Sequence, residues 1–438
     1  MRTLVVIMIY LAICTTSFDV FLAYDAGMTI RFTQIILIIP MIYMVILALI
    51  RKKLYIPCAF RWIAIWCGFM LLFVLNTTYM ERSVGYWLWL AFSLFMVLLL
   101  VNLFLTQKSL ITLLKVYIYS FFFVALFGLV QFFSAPILGL NTPLVTQWWI
   151  PGLLARINAF SYEPSYFVTY LLIGWTIVYV LWRKNNEVVL SASTIKVVLF
   201  IETLAIILSS SRIGLLMMLL IVCVHPVRIT ISFVRTAIAE QRLELQSIKK
   251  ILVVVCVCGG LGSLIVGTGI DFGEYDFLLS GTGAFGASAH SVDDRLAWAS
   301  RTYDVFIENP FVGVSLGGIP EHVMQAENII GNVKDAEGAS IFVEVLAASG
   351  VIGVIPFIIY FVSLFRQAWR LAISRRDGVL FSLILALVVE FILLQFNQNI
   401  LRPYVWMHIA ILSVWYQYSK YNYCEKRGAI YALSGSEK

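Results

Sequence analysis

Five arginines stand apart from the other basic residues because each lies in or beside a segment between long apolar runs: Arg156, Arg212, Arg295, Arg301 and Arg402. A guanidinium stays charged and offers a rigid fork of donors that matches phosphate oxygens. Several guanidiniums converging on one cavity would bind a diphosphate, whereas a single one could simply lie at a membrane interface and pair with a carboxylate. The neighbouring residues favour the binding role for Arg156, Arg212 and Arg295. Arg301 fits the interface role better and stays a fourth candidate.

A proton acceptor is the second chemical group to look for near these arginines. The candidates are Glu163, Glu337, His322, Asp293 and Asp294. Glu163 ranks first because Pro164 would begin a helix and leave Glu163 at its amino end, facing outward. Glu163 could equally interact with that helix terminus alone, or with Arg156. Glu337 ranks second and His322 third, since an exposed loop histidine is more often inert than catalytic.

The usual sites for metals and nucleotides are missing from the sequence. None of the seven cysteines has zinc-ligand partners nearby, and the chain lacks a Gly-x-x-x-x-Gly-Lys-Ser/Thr loop. The glycines of Gly259-Gly-Leu-Gly262 lie within an apolar run, where helix packing explains them better than phosphate binding. We therefore expect no metal and no cofactor.

The composition is that of a membrane protein. Hydrophobic residues make up 61% of the 438 and charged residues 13%, against about 25% charged in a soluble domain. Crossing a ~30 Å hydrocarbon layer takes about 20 apolar helical residues, and long unbroken runs favour helices over a barrel. The sequence predicts about twelve spans: Leu4–Leu22, Thr29–Ile50, Phe60–Leu75, Val84–Leu105, Ile111–Phe133, Pro164–Trp182, Thr194–Ser209, Ile213–Val227, Ile251–Gly269, Ser340–Phe365, Val379–Phe396 and Pro403–Tyr418.

The seventh and eighth runs are short, and they could be one helix. A single helix over Val188–Val224 would be roughly 55 Å long at ~1.5 Å per residue, which is too long for one span. The sequence Ser209-Ser-Ser-Arg212 is therefore predicted to be a tight turn between two helices.

The positions of Lys and Arg predict the orientation of the spans. With the amino terminus inside, 23 of the 31 basic residues fall in inner segments and 8 outside, as the positive-inside rule requires. Both termini would then be cytoplasmic. The net charge of +7 is thus a topology signal, and no nucleic acid partner is expected. We expect a multi-pass protein of the bacterial inner membrane whose working surface faces the periplasm.

Three segments between the spans are longer than connectors, within a single transmembrane domain covering residues 1–438. An outer loop at 134–163 contains Gln147-Trp-Trp-Ile-Pro151, whose aromatics suit a membrane-interface helix. A large outer loop at 270–339, between the ninth and tenth spans, has an amphipathic helical pattern at Asp293–Ile307 and is where we expect function. The inner segment 225–250 is basic and amphipathic, so it would lie along the anionic inner leaflet.

Four motifs in and beside the outer segments resemble those of Wzy-type polymerases of the O-antigen polymerase and ligase superfamily. Arg156-Ile-Asn-Ala-Phe-Ser-Tyr-Glu-Pro-Ser-Tyr-Phe167 looks like the family's Arg…Gly/Ala-Phe…Glu-Pro-Ser segment, and Ser209-Ser-Ser-Arg-Ile-Gly214 like its Ser-Arg-Gly turn. Asp294-Arg-Leu-Ala-Trp298 followed by Asn309-Pro-Phe-Val-Gly-Val-Ser-Leu-Gly317 resembles its large-loop motif. Glu344–Gly353 matches the following span. The order and spacing of the set cover roughly residues 150–355.

The resemblance implies a GT-C-type, metal-independent glycosyltransferase of O-antigen, lipopolysaccharide or exopolysaccharide biosynthesis. It would transfer a growing glycan from undecaprenyl diphosphate to a sugar hydroxyl of another lipid-linked repeat unit. By the same resemblance, Arg212 and Arg295 would hold the donor diphosphate, with Arg156 nearby. The implied partners are the undecaprenyl-diphosphate-linked oligosaccharide, membrane lipid, a chain-length regulator and a flippase.

Two alternatives remain open. A ligase would move the finished glycan onto a lipid core, but the His-Asn that ligases carry before the corresponding span is replaced by Ala339-Ser340 here. A flippase or secondary transporter is the alternative of another class, since Glu202, Glu390 and His408 lie within apolar runs and could form a proton relay. The large outer loop breaks the internal symmetry that such transporters commonly show.

Overall fold

The computed structural model describes residues 1–25, 29–75, 77, 79–104, 106–140, 144–150, 152–224, 290–326, 340–397 and 400–434. Within these ranges the chain is mostly helical, with two short antiparallel hairpins. Six of the described helices are long and apolar enough to cross a membrane by length and composition. These are the features of a helical membrane protein.

The elements are numbered in chain order. The helices are α1 (Arg2–Cys14), α2 (Phe32–Arg51), α3 (Phe60–Val74), α4 (Met80–Leu103), α5 (Gln107–Leu138), α6 (Pro164–Arg183), α7 (Ala192–Leu208), α8 (Arg212–Val224), α9 (His290–Glu308), α10 (Ile319–Ala326), α11 (Ile341–Arg375), α12 (Gly378–Asn397) and α13 (Pro403–Ser434). The hairpins pair β1 (Ala23–Asp25) with β2 (Thr29–Arg31) and β3 (Trp148–Ile150) with β4 (Leu154–Ala155).

Eleven of the twelve predicted apolar runs coincide with a helix, and the remaining run, Ile251–Gly269, lies outside the described residues. The six helices that meet the criteria for a span are α2, α4, α5, α6, α11 and α12, whereas α1, α3 and α8 are shorter apolar helices. The helical membrane class is therefore confirmed, and the number of twelve spans stays a prediction.

The first helix is shorter than the predicted run Leu4–Leu22. The Thr15 hydroxyl donates to the Leu11 carbonyl at 3.0 Å, and the Thr16 hydroxyl donates to the Ile13 carbonyl at 3.0 Å. Hydroxyls that bind the preceding turn compete with the backbone and favour helix ends. Residues 15–19 are all buried although they are not helical, so the chain stays in the bundle after the helix has ended.

The helix α6 forms the centre of the described bundle. It packs most extensively against α12 and also contacts α5 and α7. In its apolar window 78% of the residues are buried, more than in any other candidate span. The residues just before Pro164 therefore lie at the amino end of the most deeply buried of the six candidate spans.

The helix α11 is broken at Gly350, whose backbone has φ 57° and ψ −171°. The break leaves peptide groups of α11 without their usual helical partners, and the segment 310–315 takes their place. Val351 N–H donates to the Pro310 carbonyl at 2.9 Å, and the Ala347 carbonyl accepts from Val314 N–H at 3.0 Å. A Cβ on Gly350 would collide with the backbone of Phe311. Two of the motifs singled out from the sequence are thus joined through their main chains.

A buried hydrogen bond between a glutamate and a histidine links α12 to α13. Glu390 Oε2 lies 2.7 Å from His408 Nδ1, and both side chains are fully buried. His408 Nε2 lies 3.0 Å from the Leu383 carbonyl, so both ring nitrogens have partners. These contacts give partners to both ring nitrogens and to Glu390 Oε2, whereas Glu390 Oε1 has none among the described residues. Removing either side chain would leave an uncompensated polar group in the bundle.

The buried carboxylate of Glu202 in α7 leads to a test of stability. Neither of its oxygens has a hydrogen-bond partner among the described residues. Leaving such a group unsatisfied costs about 1–3 kcal/mol, so Glu202→Leu is expected to raise the unfolding temperature of the purified protein. Glu187→Leu, at an exposed position before α7, is the matched control and is expected to change little. A lower unfolding temperature for Glu202→Leu would show that the carboxylate is held by a favourable contact.

The segment around Trp148 is a hairpin. The sequence analysis expected a membrane-interface helix at 147–151, and that expectation was wrong, because β3 pairs with β4 with a register shift between Trp148 and Ile150. The turn at Gly152, which has φ 74°, favours a strand pair over a helix. The hairpin delivers Arg156 directly after β4.

Candidate functional site

The turn between α7 and α8 confirms the predicted break in the long apolar stretch. Helix α7 ends at Leu208, and α8 begins at Arg212. Between them Ser210 adopts a left-handed backbone with φ 51°, and Ser211 N–H donates to the Ser209 hydroxyl oxygen at 3.3 Å. The three serines are buried, so the turn is a packed element of the bundle.

The side chain of Arg156 holds this turn by hydrogen bonds to its carbonyl groups. Its Nε donates to the Ser209 carbonyl at 3.2 Å and its Nη2 donates to the Ser210 carbonyl at 2.9 Å. Its Nη1 donates to Gln147 Oε1 at 2.7 Å. These bonds use three of the five N–H groups of the guanidinium within the part of the chain that the structure describes. Arg156 therefore fixes the main chain of the turn that precedes Arg212.

Two of the predicted residues, Arg212 and Glu163, lie close enough to a third, Arg156, to shift its pKa. Burial lowers the pKa of Arg156, and the positive charge of Arg212 lowers it further. The carboxylate of Glu163 raises the pKa of Arg156 and so opposes both effects. The structure therefore brings together two predicted diphosphate ligands and the first-ranked base. We call these three residues the 156–163–212 cluster.

Arg212 occupies an unusual position for a cation. It is the first residue of α8, where the helix dipole is positive and favours negative side chains. Arg156, whose side chain binds the turn before α8, adds a second positive charge. Two guanidiniums at the positive end of a helix do not stabilise that helix, but they place positive charge where an anion can bind.

Glu163 precedes α6, as predicted from Pro164. Pro164 is the first residue of the helix, and Glu163 has an extended backbone with φ −137° and ψ 151°. The Glu163 side chain does not cap its own helix; Oε2 instead accepts a hydrogen bond from the Ser165 hydroxyl at 3.0 Å. The predicted placement at the amino end of a helix is confirmed, and the carboxylate is partly exposed.

The chain between Arg156 and Glu163 is anchored to α5 by two amides. Gln131 Oε1 accepts from Ala159 N–H at 2.9 Å, and Gln131 Nε2 donates to Asn158 Oδ1 at 3.2 Å. Asn158 Nδ2 donates to the Ser161 carbonyl at 2.9 Å. Both amide side chains are buried. The sequence offered one signal for this anchor that was not used, namely a glutamine inside an apolar run.

The candidates in the large outer loop are described only in part. Arg301 lies in α9 with its Cζ 4.6 Å from the ring centroid of Trp298, and His322 in α10 lies 3.2 Å from Glu308. Neither contact involves the 156–163–212 cluster. Asp293, Asp294 and Arg295 belong to the helix α9, but the structure does not describe their side chains. Glu337 lies outside the described residues altogether.

Asp19 and Arg402 form a contact that the sequence did not predict. Arg402 Nη1 lies 2.7 Å from Asp19 Oδ2, and Arg31 Nε lies 3.0 Å from Asp19 Oδ1. All three side chains are largely buried, with relative exposures of 8%, 4% and 14% for Arg402, Asp19 and Arg31. An aspartate inside the first predicted span, and an arginine at position 402 that was predicted to lie outside, were the available signals.

The described residues could bind an anion beside a carboxylate. Positive charge comes from Arg156 and Arg212, and Glu163 can accept a proton. Within the described ranges, no three His, Cys, Asp or Glu side chains lie close enough together to hold a metal ion. A reaction that needs cationic stabilisation and a base is therefore compatible with the groups that are present.

Comparison with known proteins gives no family for this chain. It matches no known protein-family profile and no curated protein. The functional conclusion therefore depends on the residues and on their geometry.

Proposed function

We propose that the protein is a membrane glycosyltransferase that polymerises lipid-linked repeat units of a surface polysaccharide. It would transfer a growing glycan from undecaprenyl diphosphate to a sugar hydroxyl of another lipid-linked repeat. The proposal combines the resemblance of residues 150–355 to Wzy-type polymerases with the arrangement of those residues in the structure. The substrate class comes from the resemblance, and the geometry supports the roles of the individual side chains.

The observation that carries the proposal is the 156–163–212 cluster. Helices α6 and α7 separate Arg212 from Arg156 and Glu163 in the sequence, yet the charges of Arg212 and Glu163 both shift the pKa of Arg156. Arg156 also holds the carbonyls of Ser209 and Ser210. A site for a diphosphate and a nucleophilic hydroxyl needs this combination of paired guanidiniums with a nearby base.

The proposed reaction balances with these groups alone. The bond between the anomeric carbon and the diphosphate oxygen breaks, and both of its electrons leave with undecaprenyl diphosphate. A new bond forms between that carbon and the acceptor hydroxyl oxygen, whose proton passes to the carboxylate of Glu163. Arg212 stabilises the negative charge that grows on the leaving diphosphate, an effect that is largest where water is excluded.

The membrane-embedded fold suits a substrate of this kind. An undecaprenyl chain partitions into the bilayer, so its diphosphate lies at the interface where helices begin and end. Arg212 begins α8 and Glu163 precedes α6. We further propose that this end of the bundle faces the periplasm of a bacterial inner membrane, with about twelve spans and both termini in the cytoplasm. A flippase would supply the repeats, and a chain-length regulator would act with the polymerase.

A direct test is mass spectrometry of undecaprenyl-diphosphate-linked glycans from a strain that lacks this chain. The polymerase proposal expects single repeat units to accumulate at the outer face of the membrane. Long lipid-linked polymers would overturn it in favour of a ligase, because the final transfer would then be the missing step. Single repeats confined to the inner face would overturn it in favour of a flippase. An unchanged glycan profile would exclude all three roles.

A further inference from the structure

The buried carboxylate of Asp19 binds two guanidiniums on its two oxygens. Oδ1 accepts from Arg31 Nε at 3.0 Å and Oδ2 accepts from Arg402 Nη1 at 2.7 Å. Asp19 and Arg402 are 383 residues apart in the sequence. Buried charge networks of this kind contribute little to stability compared with apolar packing, so their presence points to a requirement for defined geometry.

Arg402 contacts the first turn of α6. Its Cζ lies 4.7 Å from the ring centroid of Tyr166, in a cation–π arrangement. Tyr166 N–H donates to the carbonyl of Glu163 at 3.1 Å. Arg402 therefore holds the residue whose main chain is bonded to the proposed base.

Asp19 holds the chain on the other side of Glu163. The backbone N–H groups of Asp19 and Val20 donate to the Phe160 carbonyl at 3.0 and 3.1 Å. The Phe160 ring stacks between Phe18 and Phe127, with ring-centroid distances of 4.0 and 4.1 Å. The main chain at Asp19 thus holds position 160 and the Arg402 side chain holds position 166, and Glu163 lies midway between them.

We propose that Asp19 and Arg402 are positioning residues that set the location of the Glu163 carboxylate. This inference rests on the proposed function, since Glu163 needs a precise position only if it accepts a proton. The pair acts through Tyr166 and Phe160 and does not itself touch the substrate. A reacting group displaced by about 1 Å can lose about 100-fold in rate, so the loss of Arg402 should reduce turnover more than substrate binding.

Arg31 supplies a matched control. It binds the same carboxylate as Arg402 but from β2, and its main-chain N–H donates to Gln34 Oε1 at 2.7 Å in α2. These hydrogen bonds of Arg31 join Asp19 to the start of α2 and do not involve Tyr166. Replacing either arginine removes one of the two ion pairs of Asp19, but only Arg402 is in contact with the ring of Tyr166.

The experiment compares Arg402→Gln with Arg31→Gln in the full-length purified protein. The substrate is the lipid-linked single repeat unit isolated from the deletion strain, and kcat, KM and the unfolding temperature are measured. Arg402→Gln is expected to lower kcat about 100-fold, with KM changed less than about threefold. Arg31→Gln is expected to lower the unfolding temperature by a similar amount while keeping kcat within about threefold. Arg402→Lys is expected to recover part of the lost kcat, since it keeps the charge beside Asp19.

Two results would contradict the positioning role of Arg402. Equal kcat values for Arg402→Gln and Arg31→Gln would overturn the positioning role and leave a structural one. If Arg402→Gln fails to fold, Tyr166→Leu removes the ring under Arg402 and leaves the Asp19 pair in place; an unchanged kcat in that variant would also overturn the inference. Failure of the proposed function looks different, because Arg212→Ala would then retain polymer whatever happens at Arg402.

Discussion

Replacing Arg212 with alanine is expected to abolish polymer while single lipid-linked repeats still reach the outer face of the membrane. Arg212 is the first residue of α8, and its positive charge lowers the pKa of Arg156. Removing one preorganised group that stabilises a developing negative charge costs about 100- to 1,000-fold in turnover. Electrophoresis of the surface polysaccharide, together with mass spectrometry of the lipid-linked glycans, measures both halves of this expectation.

Two further variants make the result specific. Arg212→Lys keeps the charge but loses the planar fork, so it should retain a small part of the activity. Arg82→Ala removes another arginine that we expect outside, whose Nη2 donates to the Tyr86 hydroxyl at 3.1 Å, and it should polymerise normally. Normal polymer from Arg212→Ala, at an equal amount of protein in the membrane, would remove the basis for a diphosphate site.

Replacing Gly350 with valine is expected to separate the segment 310–315 from α11. Its φ of 57° is a conformation that β-branched residues rarely adopt, and a Cβ there would collide with the backbone of Phe311. The combined strain and overlap should cost about 3 kcal/mol or more. Thermal unfolding of the purified protein and its steady-state level in the membrane both report this loss.

Gly68→Ala is the appropriate comparison. Gly68 lies within α3, and a Cβ at this position meets nothing within 4 Å, so alanine should be neutral or slightly stabilising through helix propensity. An unfolding temperature for Gly350→Val as high as that of Gly68→Ala would mean that the break in α11 does not depend on glycine.

Features that depend on local sequence were the ones that could be predicted. Long apolar runs predicted the helices, because a segment that crosses a bilayer must satisfy its backbone N–H and C=O groups with its own hydrogen bonds. Pro164 predicted the start of α6 and the place of Glu163 at its amino end. The serines at 209–211 predicted a turn, since one helix over that stretch would be longer than a membrane is thick.

Features that depend on distant partners could not be predicted in this way. The pairing of Asp19 with Arg402 joins opposite ends of the chain, and no local pattern encodes which arginine will meet a given aspartate. The break at Gly350 is stable because residues 310–315 supply hydrogen bonds to it, so it follows from docking and not from the helix sequence. The residues around Trp148 misled the prediction because interfacial aromatics indicate depth in a membrane and not secondary structure.

The docking of 310–315 on α11 has a consequence for how freely this region can diverge. Its hydrogen bonds join main-chain groups, and main-chain groups are the same whatever side chains they carry. Phe311, for example, keeps 69% of its surface exposed although its carbonyl accepts a bond from Ile352 N–H. Substitutions can therefore accumulate on the outward side of this segment without undoing its attachment, provided that the glycines at 313 and 350 remain. A lineage can in this way alter the surface beside the large outer loop while inheriting the same scaffold.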